Sequence, residues 1–429
     1  ATFFKNAVKK GSKLIVMDPR GQALKKHATH MVQFKPGSDV AMMNSVMNVI
    51  IEEGLFNSEY IDKHTLGFEK LKDELRPFSP EKMEKISGIS PEIVKKVARL
   101  FANTKRGLIF WGMGVSQHVH GTDNARCLIS LALMTGNVGR RGAGLHPLRG
   151  QNNVQGASDA GMIPMMYPDY QLVEKDKNKI FYEDFWKTKL DPNKGLTVVE
   201  IMDAIHSNEI KGMYILGENP AMSDPDLNHA RSALQKLKHL VVQDIFLTET
   251  ATYADVILPA SAWPEKNGTV TNTNRQVQMG RKAINAPGQA KEDWWITNEL
   301  GKRLGLGWNY SHPKDIFREM SKAMPSLENI TWDRLDKEGS VTYPCKSPNS
   351  KGEEIVFGDR FPTLDGKGKF VFAKVTNPDE MPDKEYPMIL TTGRQLEHWH
   401  TGAMTRRASN LDAIESEASV SLSPNDMIN

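Results

Sequence analysis

The chain has 429 residues, 39% of them hydrophobic, with 55 Lys and Arg against 52 Asp and Glu. That length allows two to three domains. The near-balanced charge, +3 overall, excludes a basic polyanion binder or an acidic tail protein. No apolar run is long enough to cross a bilayer, and a cytoplasmic location is expected. The two cysteines, Cys127 and Cys345, exclude a disulfide framework and a Cys-x-x-Cys metal site within the sequence.

Residue 1 is Ala, and the opening pattern is a short helix, Thr2 to Lys10, feeding a strand, Lys13 to Met17. A helix feeding a strand is the second half of a βαβ unit, so the sequence is expected to be an internal piece of a longer protein. Leu14 to Met17 is a continuous apolar run ending at Asp18-Pro19-Arg20, the pattern of a parallel strand buried on both faces. Met31 to Phe34 is a weaker strand. Asp39 is expected to cap a helix through Ile51 with apolar positions at Val40, Met43, Val46, Met47 and Ile50. Ser90-Pro91-Glu92 starts another helix to about Asn103, with proline in its first turn. Leu108 to Trp111 is a strand running into the turn Gly112-Met113-Gly114, and a helix from Asp123 to Met134 follows. Cys127 lies in that helix and reads as core rather than ligand.

The string Arg149-Gly150-Gln151-Asn152-Asn153-Val154-Gln155-Gly156-Ala157-Ser158-Asp159 holds one fixed cation, several amides and two glycines, with little to bury. Amides both donate and accept hydrogen bonds, and an arginine fork matches a carboxylate or a phosphate. It reads as the floor of a buried polar ligand site, with an ordinary polar turn as the alternative. No acidic residue lies nearer to Arg149 in sequence than Asp159, so Arg149 is the candidate grip for an anion. Gln151 and, more weakly, His118 are candidates for the same pocket.

A pattern recurs. Lys13 to Asp18 resembles Lys238 to Asp244. Ten residues after each Asp stands an Ala, Ala28 and Ala254, leading into a strand that ends at Pro36 or Pro259. Met213 to Gly217 is another strand-to-turn segment. The pattern predicts two α/β halves built alike, with Asp18, Gly114, Gly217 and Asp244 at strand ends, where such sheets bind ligands. A carboxylate there holds a ribose hydroxyl or a base edge, or only caps a helix. No Gly-x-Gly-x-x-Gly or Walker-type loop appears, so simple NAD binding and ATP hydrolysis are unsupported.

Residues 308 to 383 are irregular and are expected to cover the second half. Tyr386 to Arg394 reads as a new strand and turn. Thr391, Thr392, Gly393 and Arg394 suit an anion cradle. His398 and His400, two apart, would point the same way on an extended backbone. They form an anion-binding edge, a metal pair lacking a third ligand, or an incidental polar loop.

Trp111 to His118, Thr135-Gly136-Asn137, His146 to Gly156, Ala254 to Pro259 with Glu265 to Gly268, and Thr392 to His400 together closely resemble the molybdopterin-dependent formate dehydrogenases, in order and over essentially the whole chain. The string from Arg149 to Gly156 resembles the formate dehydrogenase branch in particular. The other motifs occur across the wider bis-molybdopterin oxidoreductases. The resemblance implies an α/β fold of two doubly wound dinucleotide-binding-like domains (1–147 and 148–383) with the start of a C-terminal β-barrel domain (384–429).

It also implies two molybdopterin guanine dinucleotides with molybdenum or tungsten between them. Asp18, Pro19, Arg20, Gly37, Ser38 and Asp39 would hold one guanosine end, with Met113 and Gln117 near that pterin. Asn219, Gln243, Asp244, Lys266 and Asp293 would serve the second dinucleotide. Thr391 to His400 would help clamp the pterins. The family's 4Fe-4S cysteines and its Cys-His or selenocysteine-His metal ligand are not in this sequence and are expected upstream of Ala1. The implied activity of the whole protein is oxidation of formate to carbon dioxide, with electrons passed to subunits carrying iron–sulfur or flavin, and the fragment alone is expected to be inactive. A sister enzyme such as a nitrate reductase, or a non-catalytic electron-transfer subunit of the same fold, is the alternative. Nucleic acid is not an expected partner.

Overall fold

A computed structural model describes residues 2–428. The chain forms two compact units, one of residues 1–151 with 353–390 and one of residues 152–352 with 391–429.

The first unit is built around the helix Asp39–Glu52, buried at every position from Asp39 to Ile51. A helix buried all round must satisfy its polar side chains internally. Asn44 Nδ2 donates to Ala373 O (2.9 Å), Asn48 Nδ2 to Leu75 O (3.1 Å) and Ser45 Oγ to Met42 O (2.7 Å). Helices Phe68–Leu75, Pro80–Ser87, Pro91–Ala102 and Gly121–Met134 pack against it. The expected apolar positions Val40, Met43, Val46, Met47 and Ile50 all lie in this core. Cys127 belongs to it too. It is 1% exposed, its thiol faces Asn44 Oδ1, and burial pushes that thiol up to about 12.

Two parallel strand pairs flank the helices. Ile15–Met17 pairs with His30–Val32, and Leu108–Trp111 pairs with Gly144–Pro147. No ladder joins the two pairs among the described residues. Of Leu14 to Met17 only Val16 is buried, and Leu14, Ile15 and Met17 are half-buried, so that apolar run is not a strand buried on both faces. Periodicity reports what a strand can bury, not what its neighbours cover.

The segment from Glu353 joins this first unit rather than covering the second. Gly368–Lys369 pairs in parallel with Thr65–Leu66, and Phe370 and Ala373 enter the core. Irregular composition says only that a segment lies over something. The apolar side chains of Phe370 and Ala373, and the Asn44 bond to Ala373 O, decide over what.

The second unit contains a three-stranded parallel sheet with His239–Asp244 between Gly212–Leu216 and Val256–Pro259. Helices Val198–His206 and Leu227–Lys236 pack on each other beside it, the first started by a Thr197–Glu200 capping box. An antiparallel sheet, Gly268–Thr271, Gln276–Gly280 and Ser340–Thr342, adds a second core with Phe317, Leu327 and Leu335.

The strand expected over Tyr386–Arg394 does not form, and no strand lies within the described residues 384–428. Ile389 and Leu390 are 53% and 86% exposed. A strand needs a hydrogen-bonded neighbour, and nothing in that segment supplies one.

Candidate functional site

The recurring pattern is a recurring structure. Each copy is a strand, a 3-10 turn, Ala23–His27 or Thr250–Tyr253, and a parallel return strand. Ala28 and Ala254 cap the two turns with the same backbone, φ/ψ −73/138 and −78/140. The next residue in each copy donates its N–H back into the first strand, Thr29 to Leu14 O and Asp255 to Leu240 O. Asp18 and Asp244 stand at the carboxyl ends of the two first strands.

In the first copy Asp18 is folded into its own turn. Its carboxylate accepts from Arg20 N and Gln22 Nε2, both at 2.8 Å. Pro19 and Arg20 follow, and the Arg20 guanidinium lies 3.9 Å from the Asp18 carboxylate. Gly37, at φ +78, lets the chain turn into the central helix. Ser38 Oγ donates to Lys35 O, so it closes that turn. Asp39 is 8% exposed, and burial raises its carboxyl above the usual range, with the charge of His118 opposing the rise. Gly37, Asp39, His118 and His120 line one small cleft of about 30 Å³. Met113 and Gln117 stand on the exposed short helix and turn that follow the strand Leu108–Trp111. Gly121 is required here, since a Cβ would lie 1.8 Å from Ser116 O.

In the second copy the strand end is a network. Gln243, fully buried, accepts from Tyr214 OH and donates to Asp293 Oδ1 (2.7 Å). Lys266 Nζ bonds Asp293 Oδ2 and Ser261 O. Burial raises the Asp244 carboxyl, the backbone N–H groups of Ile245 and Phe246 oppose that, Asp293 adds to it, and Arg407 opposes it. Asn219 is 6% exposed and holds the neighbouring turn, donating to Glu249 Oε2 (2.8 Å) and accepting from Thr250 N and Oγ1. The structure therefore joins Gln243, Lys266 and Asp293 by direct bonds, with Asp244 within their field. Asn219 is committed to a separate turn.

Glu218 stands at the same strand end and is a residue that the sequence pattern did not single out. Its carboxyl is raised by burial and by Asp224 and Asp244, against the charge of His400. The available signal was its place in the strand-end turn Gly217-Glu218-Asn219. Arg407 is a second such residue. It stacks on Phe246 at 5.1 Å and donates to Leu247 O.

Thr391, Thr392 and Gly393 are exposed and irregular. Arg394 lies over the Trp399 ring at 5.3 Å. His398 bonds Glu415 O (2.6 Å) and Thr405 Oγ1. His400 has φ +52, so the backbone is not extended there, and the shared direction expected of His398 and His400 is lost.

The string Arg149–Asp159 divides by role, and the boundary between the units falls within it, after Gln151. Arg149, Gly150, Gln151 and Asn152 are exposed, so they do not form a buried floor within this chain. The same amide-rich composition serves a solvated turn. The remainder is built into the second unit as the helix Val154–Asp159. Asn153 Oδ1 accepts from Thr271 N (2.9 Å), and a Cβ at Gly156 would meet that oxygen at 2.2 Å. Gln155 Nε2 and Tyr343 OH donate to the buried carboxylate of Asp159 at 2.7 and 2.6 Å. Burial and Asp159 together push the Tyr343 hydroxyl well above its ordinary value.

Residues 1–303 match the molybdopterin oxidoreductase family. The chain belongs to that family. It is 48% identical over 419 residues to the F420-dependent formate dehydrogenase subunit alpha of Methanocaldococcus jannaschii, covering 97% of this chain and 62% of the relative. It is 35% identical over 415 residues to formate dehydrogenase H of Escherichia coli, covering 96% and 58%. The chain thus spans about three-fifths of the length of these relatives. Acetylene hydratase from Pelobacter acetylenicus has the same fold, with a TM-score of 0.70 at 20% identity over 95% of this chain and 60% of that one. Among the described residues, no helix is long and apolar enough to cross a membrane.

Proposed function

We propose that this chain is the dinucleotide-holding part of an enzyme that oxidises formate to carbon dioxide. The observation that carries the reading is the twin strand–turn–strand module, each copy closing on an aspartate at a strand's carboxyl end. Two equivalent ends suit two equivalent nucleotides, as in a bis-molybdopterin guanine dinucleotide. The similarity to formate dehydrogenase alpha subunits supports formate as the substrate of the whole protein.

The second strand end fits such a group. A guanine edge offers N–H donors to a carboxylate, and desolvated Asp244, repelled by Asp293, gains from such donors. Lys266 offers an ammonium for a phosphate, held beside Asp293 until then. In the first copy Asp18 is the equivalent acceptor, with Arg20 as its neighbouring cation, Pro19 shaping the turn, and Gly37, Ser38 and Asp39 forming the helix entry. Met113 and Gln117 are assigned to the first pterin in the same reading. Thr391 to Arg394, His398 and His400 begin the clamping domain in the same reading.

The bound cofactor supplies the two-electron acceptor. Arg149 holds the formate carboxylate through paired N–H groups, which orient its C–H bond. Gln151 adds an amide donor, and the helix Val154–Asp159, fixed by Asn153 and Asp159, anchors one end of that loop. A 4Fe-4S cluster carried elsewhere in the protein would supply the electron exit toward partner subunits.

The test uses the complete protein with Arg149→Lys. It should keep its molybdenum or tungsten and lose formate turnover by about tenfold or more, about 1.4 kcal/mol of lost stabilisation. Loss of the metal, or turnover at the parental rate, would refute the assignment of Arg149.

A further inference from the structure

The amino end of the strand Leu108–Trp111 carries a feature that the reading above does not use. An open cleft of about 560 Å³ lies in the first unit, lined by Leu55, Phe56 and Asn57 from the turn after the central helix. Thr104, Lys105 and Arg106 from the loop before the strand also line it, with Arg140. That volume is within the roughly 300–1,000 Å³ of small-molecule sites. Met113 and Gln117 follow the other end of the same strand, so this cleft is separate from the residues assigned to the first pterin.

Every charged residue lining the cleft is a cation. Asp123 is the only acidic residue between Ile93 and Ser158 in the sequence. The nearby Glu53 is taken by Arg99 through two bonds of 2.7 Å. Lys105 and Arg106 are exposed, and among the described residues no ion pair forms on either.

The cleft is also supported from beneath. Arg140 ties two of its loops together, donating from Nε to Gly136 O (2.8 Å), from Nη1 to Lys105 O (2.5 Å) and from Nη2 to Asn137 Oδ1 (2.9 Å). A guanidinium has five N–H groups, so two remain. Asn57 accepts from Tyr60 N with Oδ1 (2.9 Å), which leaves its amide N–H groups as donors. Gly136, at φ +64, makes room for that amide, because a Cβ would lie 2.9 Å from Asn57 Nδ2. Side-chain donors lining the cleft therefore include Asn57, Thr104, Lys105, Arg106 and Arg140, with Leu55 and Phe56 as apolar lining.

We propose that this cleft binds a phosphate-bearing small molecule, its phosphate held by Lys105, Arg106, Arg140 and Asn57. Charge-assisted donors lining one cleft that no carboxylate lines suit a phosphate. The apolar wall suits an organic portion, and a free phosphate group would use the same donors.

The experiment is calorimetric titration of the complete, cofactor-loaded protein, whose dinucleotide-holding residues are already occupied. The probes are inorganic pyrophosphate and ADP. At least one should bind saturably. Tighter binding of ADP identifies an organic phosphate, and equal or tighter binding of pyrophosphate identifies a free one. Lys105→Glu with Arg106→Glu should weaken that binding by about tenfold or more. The milder pair Lys105→Gln with Arg106→Gln should weaken it less, and both pairs lie at exposed positions that the core does not need. Absence of saturable binding for both probes, or unchanged affinity in the charge-reversed protein, overturns the proposal.

Discussion

The two strand–turn–strand copies share a frame and differ in what surrounds it. In the first, Met17 precedes Asp18, and the aspartate is satisfied by its own turn through Arg20 N and Gln22. In the second, Gln243 precedes Asp244 and is fully buried, bonded to Tyr214 and Asp293. Asp244 lies in the field of a second carboxylate and is held above the usual range. Local sequence builds the same module twice. Tertiary neighbours leave one aspartate self-contained and draw the other into a polar network.

The largest effect should come from removing the two carboxylates in the complete protein. If both strand ends hold nucleotides, Asp244→Ala and Asp18→Ala should each reduce the guanine released on acid treatment by about tenfold at limiting cofactor. A charge-assisted hydrogen bond contributes about 1.5–3 kcal/mol. Loss in only one variant would break the equivalence of the copies, and loss in neither would remove the nucleotide reading.

A smaller effect separates the residues just before each aspartate. Gln243→Leu strands the Tyr214 hydroxyl and one oxygen of Asp293. It should destabilise the chain by about 1–3 kcal/mol, about 0.5–1.5 kcal/mol for each of the two hydrogen bonds lost, as read by urea unfolding. Met17→Leu, which swaps one apolar side chain for another of similar volume, should cost less than about 1.5 kcal/mol. Equal costs would mean that the second network contributes no more than ordinary packing.

The smallest effect is a pH dependence. The folded carboxyl of Asp244 sits above its ordinary 3.8 because burial and Asp293 disfavour its charge. Its favourable contribution is therefore complete below the ordinary value and is lost as pH rises through the raised one. Asp244→Asn should raise the melting temperature of the cofactor-free chain at neutral pH, and the gain should vanish in acid. A gain that persists unchanged into acid would assign the effect to something other than ionisation.

Much of this was legible in the sequence. The central helix was read from Asp39 to Ile51 because its apolar spacing and acidic start are local signals, and the structure ends it one residue later, at Glu52. The twin modules were legible because Asp, Ala and Pro recur at fixed offsets. The division of the string Arg149–Asp159 was not. Asn153, Gln155 and Asp159 are used by Thr271 and Tyr343, which lie more than a hundred residues away. Glu218 escaped for the same reason, since the nearness of Asp224 and Asp244 is a property of the folded unit. The strand expected at Tyr386–Arg394 was read correctly as apolar, but pattern cannot provide a pairing partner.

The sequence by itself determined the short-range features. These are helix starts, strand ends, the repeated aspartates and the motif order that marks the molybdopterin oxidoreductase family, all written in contiguous residues. Only the tertiary structure decided which polar residues bond to each other and which stay at the surface. Gln243, Asp159 and Asn44 are buried because distant chain segments bring each a hydrogen-bond partner. Asn152, of equally polar composition, remains exposed. Burial of a polar group depends on whether a partner arrives to replace water, and that partner is supplied by the fold.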